Sequence, residues 1–181
     1  MLAHAGCLRP LPWHHGGVTA EPQPELLGLP PGYGTPTRTL LWAEVRTRLE
    51  EAPHYWVATT CPDGRPHAVP VDGLWLDEAC WFGGSAETVK HRNLVADGRA
   101  TLHLADPEAA VIVEGVCELA RPAGDTADRL VQASHRKYGY APPAAAYAEG
   151  VWRLRPRKVM AWSSFPADVT RFRFPARTAG G

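Results

Sequence analysis

Short β-type runs punctuated by tight-turn signals run through most of this chain, and they restrict it to a mainly antiparallel fold. Residues 54–60 are rich in aromatic and β-branched side chains and lead into Cys61-Pro62-Asp63-Gly64, whose Asp-Gly pair supplies a hairpin turn. The returning strand is expected over 65–76. Pro70 inside it cannot donate to a sheet ladder, which places it at an edge, a bulge or a stretch of backbone facing a ligand. Asp77-Glu78 reads as a second turn, before a short strand that ends at Gly83-Gly84-Ser85. Strands over 99–105 and 109–119 flank the turn Asp106-Pro107-Glu108. The chain closes with strands over 151–162 and 169–174, where Arg153 and Arg155 alternate with Trp152 and Leu154, and Arg171 and Arg173 with Phe172 and Phe174. Period two gives each one wet face and one packed face.

Helical spacing is confined to three inserts. Leu41, Val45 and Leu49 recur every four residues from Thr37 until Pro53 stops the pattern. Ser85 is a natural N-cap for a second helix reaching about residue 96, before Gly98. A third begins near Asp125, with Leu130, Ser134 and Tyr138 on one face, and ends in a stretch punctuated by Pro142 and Pro143. About seven strands with two or three inserted helices suit an antiparallel barrel better than alternating β-α units.

At 181 residues and 45% apolar, the chain closes one core. Thirteen of the first 36 residues are glycine or proline, so residues 1–36 are expected as an extended or disordered arm, 37–174 as the folded domain and 175–181 as a tail. His4, His14 and His15 fall in the arm and are given no metal role. Nineteen basic and nineteen acidic side chains cancel, so no bulk field favours nucleic acid or an anionic membrane. Cys7, Cys61, Cys80 and Cys117 are too scattered for a disulfide framework, and no apolar run approaches the ~18 residues of a membrane span. A soluble cytoplasmic protein is expected.

The most informative stretch is strand, Gly83-Gly84-Ser85, then helix with Thr88, Lys90 and Arg92. It gathers free amides, hydroxyls, cations and a helix N-terminus, which together suit a phosphate. The spacing is that of neither a P-loop nor GxGxxG. A capped helix with solvated cations fits the spacing equally well.

Residues 63–71 (Asp-Gly-Arg-Pro-His-Ala-Val-Pro-Val), then Trp75-Leu76-Asp77, Trp81-Phe82 and Lys90-His91-Arg92-Asn93-Leu94 resemble the pyridoxamine-phosphate-oxidase-like split-barrel flavoproteins. More narrowly, they resemble the actinobacterial flavin/deazaflavin oxidoreductase branch, which often uses coenzyme F420. Residues 111–115 and 170–174 match in the same order, so the resemblance covers about 53–174. It implies an FMN-binding type of split β-barrel forming a homodimer, with coenzyme F420 or FMN between subunits and a small organic substrate beside the ring. Carried onto this chain, Val69, Pro70 and Val71 line the ring with backbone. Phe82, Gly83, Gly84, Ser85, Thr88, Val89, Lys90 and Arg92 hold the side chain and phosphate, and Trp162 and Arg171 come from the partner.

The arginine pattern of true pyridoxamine phosphate oxidases is missing, and Arg171-Phe172-Arg173 stands where their Arg-x-His substrate pair would fall. Vitamin B6 oxidation is therefore not the expected activity. Resemblance to the narrower branch and an Ala-, Arg-, Gly- and Pro-rich composition favour F420 over FMN. In such a site the cofactor carries the hydride, so the lack of a triad does not argue against an enzyme. His67, His103 and Tyr138 are proton-donor options, each also explained as a packed polar residue. The rival from another class is a flavin or haem carrier, or a redox sensor, without turnover. Six arginines and Lys158 between residues 153 and 177 invite a nucleic-acid reading, but strand alternation alone puts arginine on a solvent face.

Overall fold

The computed structural model describes residues 21–175. His4, Cys7, His14, His15 and Arg177 lie outside them, with residues 1–20 of the arm and 176–181 of the tail. The described residues form nine strands and three α-helices in the order β1 (Pro24–Leu26), α1 (Trp42–Glu51), β2 (Tyr55–Thr60), β3 (Pro66–Val71), β4 (Gly73–Leu76), β5 (Ala79–Phe82), α2 (Val89–Ala96), β6 (Arg99–His103), β7 (Val111–Ala120), α3 (Asp125–Tyr138), β8 (Val151–Ala161) and β9 (Thr170–Arg173). A 3₁₀ segment, Ala144–Glu149, follows α3.

All strand pairs are antiparallel, in the order β1-β9-β8-β7-β6-β2-β3. The long β8 divides this sheet. Beyond its pairing with β7, residues 152–154 hydrogen-bond to β5, and 158–161 to β9. The division falls at Pro156, which has no N–H to give, and at Arg157, an extra residue of β8 opposite the step from Glu114 to Gly115 in β7. A Cβ at Gly115 would lie 2.2 Å from the Arg155 carbonyl oxygen, so only glycine permits this approach. β4 pairs with β5 alone. The chain passes from β3 to β4 at Asp72, which closes the circuit β3-β2-β6-β7-β8-β5-β4 into a barrel. Because β3 and β4 share no ladder, the barrel is split there.

Alternation fills the interior with Tyr55 and Val57 of β2, Val113 and Cys117 of β7, and Leu154 and Val159 of β8, all nearly or wholly inaccessible. α1 plugs one end, with Trp42 against Trp75, Phe172 and Phe174. β4 and β5 are buried on both faces because their outer side chains Leu74 and Trp81 form a second cluster with Ala127 and Leu130 of α3, Tyr147 and Val151. Arg129 fastens α3 to the β4–β5 turn through a two-bond ion pair with Asp77.

Three local expectations are corrected. The first helix starts at Trp42, not Thr37, because the amides of Thr37 and Arg38 bond the Ala167 carbonyl and that of Leu40 bonds Thr170 Oγ1 at 2.8 Å. The expected strand over 65–76 is two strands that change partners at Asp72. Ser85 does not cap α2. It builds the preceding turn, accepting from Glu87 N–H and from Thr88, and Thr88 is the cap, accepting from His91 N–H at 3.3 Å. The strand count rises from about seven to nine because of that division and because Pro24–Leu26, within the expected arm, pairs with β9.

Candidate functional site

A groove of about 780 Å³ opens along the split. β3 forms one wall with Val69, Pro70 and Val71. The end of β5 and the start of α2 form another, with Phe82, Gly83, Thr88, Val89 and Lys90. The strand register places Val69 and Val71 beside Val57 and Tyr55, so the packed β2–β3 ladder fixes this wall. α2 is held by Asn93, whose amide donates to Thr59 Oγ1 at 3.0 Å. Of the thirteen site residues expected from sequence, these eight share the groove wall.

The other five lie elsewhere. Gly84 is exposed and does not line the groove, with φ +149°, and a Cβ there would sit 2.1 Å from Lys90 Nζ. Ser85 is spent on the turn. Arg92 is exposed and donates to the Glu87 carbonyl at 2.6 Å. Trp162 donates its indole N–H to the Pro107 carbonyl, and Arg171 binds Glu25 through Nε (2.9 Å) and Nη2 (2.7 Å), five strands away from β3. Of the remaining basic residues of the closing strands, Arg153 and Arg155 pair with Glu118, Lys158 with Glu114 and Arg173 with Glu25, whereas Arg157 is exposed with no ion-pair partner among the described residues.

Lys90 is the cation of the groove. It is 6% exposed, and its Nζ donates to one neutral acceptor, the Gly83 carbonyl, at 3.0 Å. Burial pushes its pKa down. Beside it, the first-turn amides of Val89 and Lys90 have no acceptor among the described residues. At the opposite mouth Asp72 accepts from the Tyr140 hydroxyl (2.8 Å) and contacts His54 Nδ1 (3.0 Å).

Sequence reasoning missed the roof. Leu130 and Ser134 of α3, then Tyr140, Pro142 and Tyr147 line the groove, together with Tyr138, expected only as a proton-donor option. The Tyr138 hydroxyl donates to the Gly73 carbonyl (2.8 Å) and accepts from the Gly73 N–H (2.9 Å), pinning α3 where β3 passes into β4. Behind it, Lys137 donates to Tyr55 Oη (3.0 Å) and the Gly73 carbonyl (2.9 Å), and burial lowers its pKa to about 8. His67 also lies on the wall, whereas His103 stacks on Trp56 outside the groove.

Among known proteins, the pattern of the pyridoxamine 5'-phosphate oxidase family matches residues 41–163. In structure the chain is similar to a conserved hypothetical protein from Mycobacterium tuberculosis, at 21% identity and TM-score 0.57 over 80% of this chain and 94% of that one. It is also similar to a heme binding protein from Mycobacterium smegmatis (27%, 0.56, 72% and 56%) and to an F420 reductase (21%, 0.50, 72% and 98%). No curated protein sequence matches it. No described helix is long and apolar enough to cross a membrane, and the described residues hold no cluster of metal ligands.

Proposed function

Because the chain belongs to the pyridoxamine 5'-phosphate oxidase family, we propose that it is an oxidoreductase that uses coenzyme F420, or FMN, to pass a hydride to or from a small organic substrate in this groove. Lys90 carries the reading. A buried ammonium with one neutral acceptor is costly unless an anion completes its shell, and the free amides of Val89 and Lys90 supply further donors at the same place. The residues present therefore fit a phosphate-bearing cofactor. When bound, the tricyclic ring supplies the hydride chemistry. The chain orients and shields it: Val69 to Val71 lay backbone along the groove, Phe82 closes the inner side, Lys90 holds the anionic tail and α3 excludes water. F420 is preferred, with support from the likeness to an F420 reductase.

The working unit of this reading is a homodimer. Strand register aligns Pro70, Trp56, His103, Ile112, Met160 and Arg171 in one row across the sheet, with none of them buried in the core. A two-fold axis between His103 and Ile112 places Arg171 of a second copy at the Pro70 edge of the groove, a span of about 24 Å at the usual strand spacing. Sedimentation velocity tests it, and a monomer removes that contribution. A reducing compartment such as the cytoplasm suits the three buried free thiols Cys61, Cys80 and Cys117.

His67 on the groove wall, with the likeness to a heme binding protein, favours a second reading, a haem carrier without turnover. Titration with F420, FMN and hemin, followed by tryptophan quenching, separates the two. Saturable binding of F420 or FMN with reoxidation accelerated by an acceptor is expected. Binding of hemin alone, lost in His67→Ala, replaces the enzyme with the carrier, and binding of none overturns both.

A further inference from the structure

The groove is roomy for a single small molecule. Its volume of about 780 Å³ lies toward the upper end of the roughly 300–1,000 Å³ spanned by single small-molecule sites. Its two halves also differ chemically. The Lys90 half offers a cation and free amides. The roof half is walled by Leu74, Trp81, Leu130 and Val151, all buried and apolar.

The polar groups of the roof half are already committed, with one exception. Ser134 Oγ donates to the Tyr140 carbonyl, the Tyr140 hydroxyl to Asp72 and the Tyr138 hydroxyl to Gly73. Tyr147 is 8% exposed and lines the groove, yet its hydroxyl has no hydrogen-bond partner among the described residues. It is not sealed in the core either, since Trp75 Nε1 is the fully enclosed unpartnered side-chain atom among those residues. The hydroxyl oxygen of this groove-lining residue therefore keeps access to solvent. Water can satisfy this hydroxyl, and a ligand that displaces that water must supply an acceptor of its own or leave the donor unpaired at a cost.

We propose that the roof half is a substrate subsite for a small, neutral, planar molecule bearing a carbonyl-type acceptor, and that the Tyr147 hydroxyl is the donor that anchors it. The assignment of this subsite to substrate rests on the oxidoreductase reading, while the Tyr147 anchor rests on the groove alone. Neutrality follows from the lining: Asp72 is held by Tyr140 and His54, and among the described residues no unpaired charge lines this half. Burial keeps the phenol protonated and so able to donate.

The test uses 4-(dimethylamino)benzaldehyde, whose absorption moves to longer wavelength when its carbonyl oxygen accepts a hydrogen bond. The full-length protein should bind the probe with that shift, and saturating F420 or FMN should leave binding intact. Tyr147→Phe should abolish the shift and weaken binding about fivefold, the equivalent of one ordinary hydrogen bond, at an unchanged melting temperature. An undiminished shift in Tyr147→Phe, displacement of the probe by cofactor, or no probe binding overturns the subsite. A Tyr147-dependent shift in protein that binds neither cofactor leaves the anchor standing and sinks the oxidoreductase reading instead.

Discussion

Lys90, buried in the groove wall, and Lys137, half-buried behind it, differ in a way that separates binding from architecture. Lys137 has two oxygen acceptors and lies 4.5 Å from the centroid of the Tyr55 ring. Its cation is consumed in fastening the end of α3 to the β3–β4 passage. Lys90 has one carbonyl and a more distant ring, Phe82 at 5.9 Å. Both lose basicity through burial. Desolvation thus marks both, and only the count of partners tells a filled cation from one with capacity left for a ligand.

The strongest attempt to break this contrast is Lys90→Ala. It should weaken F420 or FMN binding by about 1.5–3 kcal/mol, as expected for charged hydrogen bonds, while the melting temperature holds or rises. Unchanged affinity in a fluorescence titration would place the phosphate elsewhere. Lys137→Met should do the reverse, costing about 1–2 kcal/mol of stability in urea unfolding while cofactor affinity stays within about twofold. Thr88→Ala removes the cap of α2 beside Lys90 and should cost about 1 kcal/mol, read in the same unfolding experiment.

The smallest effect is a pH dependence. Lys137 titrates near pH 8 in the folded protein against 10.5 for an ordinary lysine. Between those values the unfolded chain holds more protons than the folded one, so stability rises with pH through that window. The rise ends near pH 10, where an ordinary tyrosine ionises but Tyr55, buried and raised well above that value, does not. Melting temperatures of the wild type should therefore climb modestly from about pH 8 to 10, and Lys137→Met should flatten the climb. Parallel profiles would show that Lys137 does not carry it.

The legible parts of the fold were the local ones. Asp77-Glu78 announces a turn, and both residues take the left-handed backbone that the tight reversal demands (φ 54° and 55°). The break at Asp72 carries no such signal, because it is a change of partner strand imposed by barrel closure. Ser85 and Thr88 both offer a capping oxygen, and the choice depended on where the backbone turned. For the site, the groove-facing stretches of β3, β5 and α2 came from the resemblance and from local phosphate-binding logic. The roof could not be read that way. The stripe Leu130, Ser134, Tyr138 shows that α3 buries a face, but what that face covers is fixed by tertiary contacts with Leu74 and Trp81. The arginines of β8 and β9 alternate as expected, while their pairing with Glu118, Glu114 and Glu25 depends on cross-strand register.

The three-residue strand β1 has a consequence for solution behaviour. Without it, β9 would present its outer row of amides and carbonyls over Thr170–Arg173 as an open template for another chain. Pro24–Leu26 occupies that row and sets Glu25 against Arg171 and Arg173. Because β1 is short and begins with proline, it offers little further edge to extend. The segment before α1 therefore shields the β9 edge of the sheet from edge-to-edge association.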